Sequence, residues 1–410
     1  DALVLEVLTT PEGRADPYPR YRQLRERTPV LRSGLGMVVL TRYADCVAAL
    51  RDPRLGRGLI GSAARTGTRG AVAGLSADPA MRQEYFDRAA NSMLFADPPE
   101  HSRLRRLVSR AFTPRRVDAL RPAVGRTVDS LLDSLAEQGE ADVIEALAFP
   151  LPVSVIGELV GVPPSDRAAF QPLVRAAAAG VEPIVDDTTI RAALDAQAEL
   201  QSYFACLLAE RRRRPTDDLL SGLAEDRAHD DALTDDEIIA TTILLFAAGF
   251  ETTTNLIGNG LLALLHHPDQ LELLRRRGEL APTAVDELLR WDSPVQVNFR
   301  TALEPAEVAG EPFQPGDSVL VLQGAANRDP ARFAEPERLD LGRADNQPLS
   351  FGWGAHHCIG AALARMEGEV VFRSLADHFT RIELTTDAVE WRPSITLHGV
   401  VALPVRVTAA

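Results

Sequence analysis

The chain has 410 residues, 45% hydrophobic and 25% charged, which suits a globular protein with a large core. Its net charge of −14 argues against nucleic acid as a partner, and no apolar run is long enough to span a bilayer, so no membrane anchor is expected. Three widely spaced cysteines, Cys46, Cys206 and Cys358, exclude a disulfide framework or a zinc cluster and point to a reducing cytoplasm.

In chain order, residues 1–60 mix strand-like runs such as GMVVLTRY with helical pieces such as YADCVAALRD. Residues 60–95 are rich in Gly, Ala and Ser with weak periodicity, which predicts a long, partly irregular connection of functional or mobile character. The stretch Asp97-Pro-Pro-Glu-His101-Ser-Arg-Leu-Arg105 then starts a helix with His101 and Arg105 four apart on one face. Two such donors can clamp a carboxylate, although an isolated pair of this kind is more often a solvated basic face. Arg103, Arg106, Arg110, Arg115 and Arg116 make the same region a basic patch on an acidic protein.

From about 100 to 290 apolar residues recur at three and four, so helix dominates. Residues 174–190 combine small side chains with Gly180 and Pro183 and lack a clean stripe, as a mobile lid would. Asp186 and Asp187 are expected there in a solvated turn. A capping box at Thr234 and Glu237 opens a long helix that runs to His267-Pro268. Its middle, Ala248-Gly249-Phe250-Glu251-Thr252-Thr253, offers a small-residue groove where hydroxyls can open the helical ladder, with an acid beside an alcohol for proton transfer. A plain buried core helix explains that stretch equally well. Glu287 and Arg290 form an i,i+3 pair that on an exposed helix is worth only roughly 0.2–0.5 kcal/mol. Residues 295–325 turn β-like, and short strands close the chain.

The most informative segment is Phe351 to Gly360, FGWGAHHCIG, which places a lone cysteine in a glycine-punctuated loop at the start of a helix. Glycines let backbone approach a flat, bulky group, and a helix N-terminus stabilises a thiolate. This suits ligation of haem iron, against the simpler reading of a buried structural Cys.

The segment resembles the haem-binding loop of the cytochrome P450 monooxygenases, Phe-Gly-x-Gly-x-His-x-Cys-x-Gly, at every fixed position, and the motif order is family-like along the whole chain. The resemblance implies a mainly α fold with a minor β region, in one domain over residues 1–410. It implies haem b with Cys358 as iron ligand, cradled by Phe351, Gly352, Gly360, Ala248 and Gly249. His101, Arg105, Arg300 and His356 would hold the propionates. Glu251 and Thr252 would relay protons, and Glu287, Arg290 and Arg338 would form a buried structural network. Leu245, Ala248, Val295, Val297, Asn298 and Ile395 would line the substrate pocket, with parts of 60–95 and 170–190.

By the same resemblance the protein is a bacterial, actinomycete-type monooxygenase, a cytoplasmic monomer. It would use O₂ and electrons from an external ferredoxin and its reductase, docked on Arg103, Arg106 and Arg110. The substrate would be bulky and lipophilic, in the manner of a polyketide intermediate, and the reaction a hydroxylation or epoxidation. A peroxygenase or isomerase on the same fold, and a haem-thiolate sensor without turnover, are the alternatives.

Overall fold

A computed structural model describes residues 1–57, 78–225 and 232–410. Its centre is the long helix Asp235–His266, started by the expected capping box: Glu237 N–H donates to Thr234 Oγ1 at 3.3 Å, and Thr234 N–H to Glu237 Oε2 at 2.9 Å. From Thr253 to Leu264 the helix is buried all round, as a core helix is. Gly260 makes this possible, because a Cβ there would meet the Phe372 ring at 2.4 Å.

Two apolar clusters flank this helix. In one, Val128, Leu132, Ile257, Leu261, Leu288 and Phe372 join helices Pro114–Gln138, Ala281–Trp291 and Ala361–His378. In the other, Phe170, Phe204, Phe246 and Phe250 join helices Phe170–Ala179 and Asp187–Arg213 to it. Each such side chain contributes about 1.5–3 kcal/mol on burial.

The β region is a five-stranded sheet in the order Val30–Arg32, Met37–Leu40, Ser318–Leu322, Val297–Ala302, Leu55–Gly56. Met37–Leu40 pairs Ser318–Leu322 in parallel, with Met37 opposite Ser318, and the other pairings are antiparallel. A three-stranded sheet joins Glu140–Asp142, Pro404–Ala409 and Phe379–Leu384. Among the described residues no helix is long and apolar enough to cross a membrane.

Two expectations about irregular chain need correction. Of the 60–95 segment, residues 60–77 lie outside the described residues, but Pro79–Ala89 is helical. Asp78 caps it by accepting from Ala80 N–H at 2.7 Å, and only Tyr85 and Phe86 are buried, too few to print a stripe. In the 174–190 segment the small residues finish helix Phe170–Ala179. The next helix begins at Asp187, where Asp186 is the N-cap and accepts from Thr189 N–H at 2.7 Å. The non-helical part is therefore only Gly180 to Asp186. Both acids are exposed, as a solvated turn implies, but Asp186 caps its own helix and Asp187 accepts from Asp78 N–H at 2.8 Å, which ties that helix start to the start of Pro79–Ala89.

Candidate active site and cofactor cradle

The loop before helix Ala361–His378 needs glycine for its shape. Gly352 has φ +67° and Gly354 φ +73°, and a Cβ on Gly354 would meet the Leu50 carbonyl oxygen at 2.4 Å. Cys358 N–H donates to Phe351 O at 2.9 Å, which closes the loop. The exposed area of Cys358 belongs to the wall of an internal cavity of about 440 Å³. Burial pushes its thiol pKa up, while the Gly360 N–H and the Arg105 and Arg365 guanidinium groups draw it down.

Across the cavity stand Ala248, Gly249 and Thr252 of the long helix. Gly249 is required by Ile156, which a Cβ would meet at 2.7 Å. The helix is continuous here: Thr252 Oγ1 donates to Ala248 O at 2.7 Å and Thr253 Oγ1 to Gly249 O at 3.1 Å. The hydroxyls thus bond back along an intact ladder, where the sequence suggested an opened one. Glu251 is 4% exposed and ion-paired to Arg392, with Arg175 Nε at 3.8 Å. Burial and the neighbouring Arg175 bring Arg392 down to about 10.

Arg57, His101, Arg105 and His356 line the cavity, and Arg300 lies close enough to act on both histidines and on Arg57. Arg300 is 2% exposed, and burial, then Arg57, pushes its pKa well below the usual value. His356 is brought down to about 4 by burial, opposed by Asp97 at 3.9 Å. The His101 and His356 rings lie 4.2 Å apart. His101 Nε2 and Arg57 Nε are buried without a hydrogen-bond partner among the described residues. Buried donors in this excess call for an anion. Two carboxylates on a flat group between Cys358 and Ala248–Gly249 satisfy that demand, so the residues present fit haem. Arg57 is absent from the sequence reading, and nothing in its local sequence marks it.

Leu245, Ala248, Val295, Val297 and Asn298 line the cavity as expected, with Val174, Ala177 and Val181 from above. Ile395 does not. It is fully buried beside Val4, Leu8 and Leu322, while Thr396 and Leu397 face the cavity. The expectation placed the right turn on the wrong residue.

The Glu287–Arg290 pair is fully buried, and Arg290 Nε and Nη2 reach the carboxylate at 2.7 and 2.8 Å. Arg290 also donates to Asn327 O, Pro336 O and Arg338 O at 3.1, 2.8 and 3.0 Å. The Arg338 side chain instead turns outward to Glu335 at 3.2 Å. Arg343 takes the expected place, with Nε 3.0 Å from Glu287 Oε2.

On the basic patch Arg103 is held by Glu237 of the long helix, whereas Arg106, Arg110, Arg115 and Arg116 are exposed. Arg103 is therefore half-withdrawn from the docking face it was expected to share.

Glu367, on helix Ala361–His378, lines the cavity with Oε2 buried and unpartnered among the described residues. Burial raises its pKa to about 8. Its unfolded value is about 4.3, so between these values the folded state binds the extra proton. The stability held by the neutral acid is full below about pH 4.3 and is lost as pH rises towards 8, by at most about 5 kcal/mol. Urea unfolding at several pH values should show this slope in wild type and not in Glu367→Gln. Parallel profiles would contradict it.

The comparisons with known proteins agree with this geometry. The cytochrome P450 family model matches residues 179–406. Cytochrome P450 107B1 of Saccharopolyspora erythraea is 40% identical over 398 residues, covering 95% of both chains. The 6-deoxyerythronolide B hydroxylase of the same organism is also 40% identical, over 95% of this chain and 96% of its own. The solved structure of cytochrome P450 PksS from the Bacillus subtilis bacillaene polyketide synthase matches with a TM-score of 0.85 at 36% identity, over 97% of this chain and 98% of that one. With this fold, this cradle and these relatives, the chain belongs to the cytochrome P450 family, the haem-thiolate monooxygenases.

Proposed function

We propose that this protein oxygenates a bulky, lipophilic, polyketide-like molecule by hydroxylation or epoxidation, with electrons from a separate ferredoxin and its reductase. The observation that carries the reading is that Cys358, Thr252 and Gly249 line one largely apolar cavity that Arg57 and His101 also line, with Arg57 Nε and His101 Nε2 unpartnered among the described residues. In this reading Cys358 ligates the iron of haem b, and Arg57, His101, Arg105, Arg300 and His356 hold its propionates. When bound, the haem supplies the activation of O₂ and the oxidising power.

The chain's own side chains do the rest. Leu245, Val295 and Val297 keep water out and position the substrate, which decides the carbon attacked. The Thr252 hydroxyl can turn from Ala248 O to donate into the cavity, and Glu251 is the neighbouring acid that resupplies it. The polyketide class is favoured by relatives named for a deoxyerythronolide and for a polyketide synthase. A panel of macrolactones, terpenes and peptides, scored by substrate-dependent NADH consumption with a surrogate ferredoxin and reductase, tests the reading. Consumption unaffected by every compound would count against it.

Two expected outcomes belong to this reading. Thr252→Ala should keep substrate affinity within about threefold while product per NADH falls about tenfold or more and hydrogen peroxide rises. Equal product yield would remove the relay. Charge reversal at Arg106 or Arg110 should raise the apparent KM for ferredoxin several-fold at low salt and flatten its salt dependence, with haem content intact. Unchanged ferredoxin kinetics would remove the docking face.

A further inference from the structure

The turn between helices Phe170–Ala179 and Asp187–Arg213 carries a buried acid outside the relay, the haem cradle and the Glu287 network. Glu182 is 8% exposed. Its carboxylate accepts three hydrogen bonds from the C-terminal turn: Ser394 Oγ at 2.5 Å, Thr396 N–H at 3.1 Å and Ile395 N–H at 3.2 Å. Its backbone oxygen accepts from Arg82 Nη1 at 3.1 Å, on helix Pro79–Ala89. One residue thereby ties three elements, and each of them lines the cavity: Tyr85 and Phe86, Ala177 and Val181, Thr396 and Leu397.

Neighbouring contacts hold the first two of these elements together without Glu182. Tyr85 Oη donates to Ala177 O at 2.8 Å, and a Cβ on Gly180 would meet the Tyr85 ring at 2.4 Å. Helix Phe170–Ala179 and the turn after it, which form the roof of the cavity, are thereby tied to helix Pro79–Ala89 as one body. The Glu182 carboxylate supplies the hydrogen bonds that fasten that body to the C-terminal turn, beside the packing of Ile184 on the cluster that holds Ile395. Three donors on one buried carboxylate make a strong, specific tie, because releasing it strands a charge away from water.

We infer that Glu182 is a positioning residue that latches the roof of the cavity to its far wall and so sets the size of ligand admitted. This rests on the proposed haem site only for one of its two readouts. Small ligands pass a closed roof, whereas bulky ones need the latch to open, so their association rates divide.

The test uses the haem-loaded protein with two iron-binding probes, imidazole and econazole. In Glu182→Ala, econazole association should accelerate about tenfold or more, while imidazole stays within twofold. Ser394→Ala should act in the same direction more weakly. The double variant should match Glu182→Ala alone, because both remove the same tie. Equal change for both probes, no change, or additive effects would overturn the latch. The second readout needs no haem: amide exchange at Gly180 and Val181, whose N–H groups bond Ala177 O and Ala178 O, should quicken at least tenfold in Glu182→Ala. Unchanged exchange would overturn the latch even where the probes bind. Wild-type protein that binds neither azole, yet shows the exchange change in the variant, would refute the haem site and leave the latch standing.

Discussion

Arg290→Ala should cost about 3–5 kcal/mol and leave the protein unable to hold its cofactor. Typical domains have about 5–15 kcal/mol in total, so much of the chain would be unfolded at modest temperature. The cause is specific. Glu287 and Arg290 are both fully buried, and losing the guanidinium strips the Glu287 carboxylate of its two-pronged partner and orphans Asn327 O and Pro336 O, while Arg338 O keeps Arg343 Nη2 at 3.1 Å. Lysine should rescue little, since its ammonium cannot reproduce the two-pronged contact at 2.7 and 2.8 Å. Neighbouring variants sharpen the test. Arg343→Ala removes the 3.0 Å contact to Glu287 together with more exposed bonds to Ala334 O at 2.6 Å and Arg338 O at 3.1 Å, and should cost about 1–2 kcal/mol. Arg338→Ala removes only an exposed pair and should cost less than about 0.5 kcal/mol. Urea unfolding of the three variants checks the order, and a large loss at Arg338 would restore the arrangement expected from sequence.

Cys358→Ser should abolish turnover, by about a thousandfold or more, while haem content stays within about twofold of wild type. The two effects separate because different residues cause them. In the proposed reading retention rests on Arg57, His101, Arg105, Arg300 and His356, which the substitution does not touch. Turnover depends on a thiolate, whose electron donation a serine hydroxyl cannot supply. Product formation with a surrogate ferredoxin, beside a haem assay, gives both numbers. Turnover within tenfold of wild type would mean that Cys358 has no chemical role.

What the sequence disclosed was chemistry carried by neighbours in the chain. The loop around Cys358 is legible because its glycines and cysteine must sit a few residues apart to turn as they do. The capping box at Thr234 and Glu237 and the pair Glu287–Arg290 are legible for the same reason, since one helical turn holds both partners. Asp97 and His101 fall in this class too: His101 lines the cavity, and Asp97 lies 3.9 Å from His356, which also lines it.

The unread residues come from far away in sequence. Arg392 reaches Glu251 across 141 positions, and Arg57 meets the histidines from the end of a two-residue strand. All 44 basic residues are arginine, so composition gives no contrast between a solvated Arg and one with a buried partner. Ile395 misses the cavity by one residue, a shift that exchanges inside and outside in extended chain. Arg343 stands in for Arg338 five positions on, in turns and bends that carry no period to read. Helix Pro79–Ala89 escaped because a short helix burying two aromatic side chains shows no stripe; its Asp78–Pro79 start was the available signal.

The central claim is that Cys358 is the thiolate ligand of a haem lying between it and the Gly249–Thr252 wall. Carbon monoxide added to the dithionite-reduced, haem-loaded protein tests this most directly. The account predicts the strongly red-shifted Soret band of a haem with a trans thiolate, present in wild type and absent in Cys358→Ser. A band at the position of a histidine-ligated haem, or one that persists unchanged in the serine variant, would contradict it.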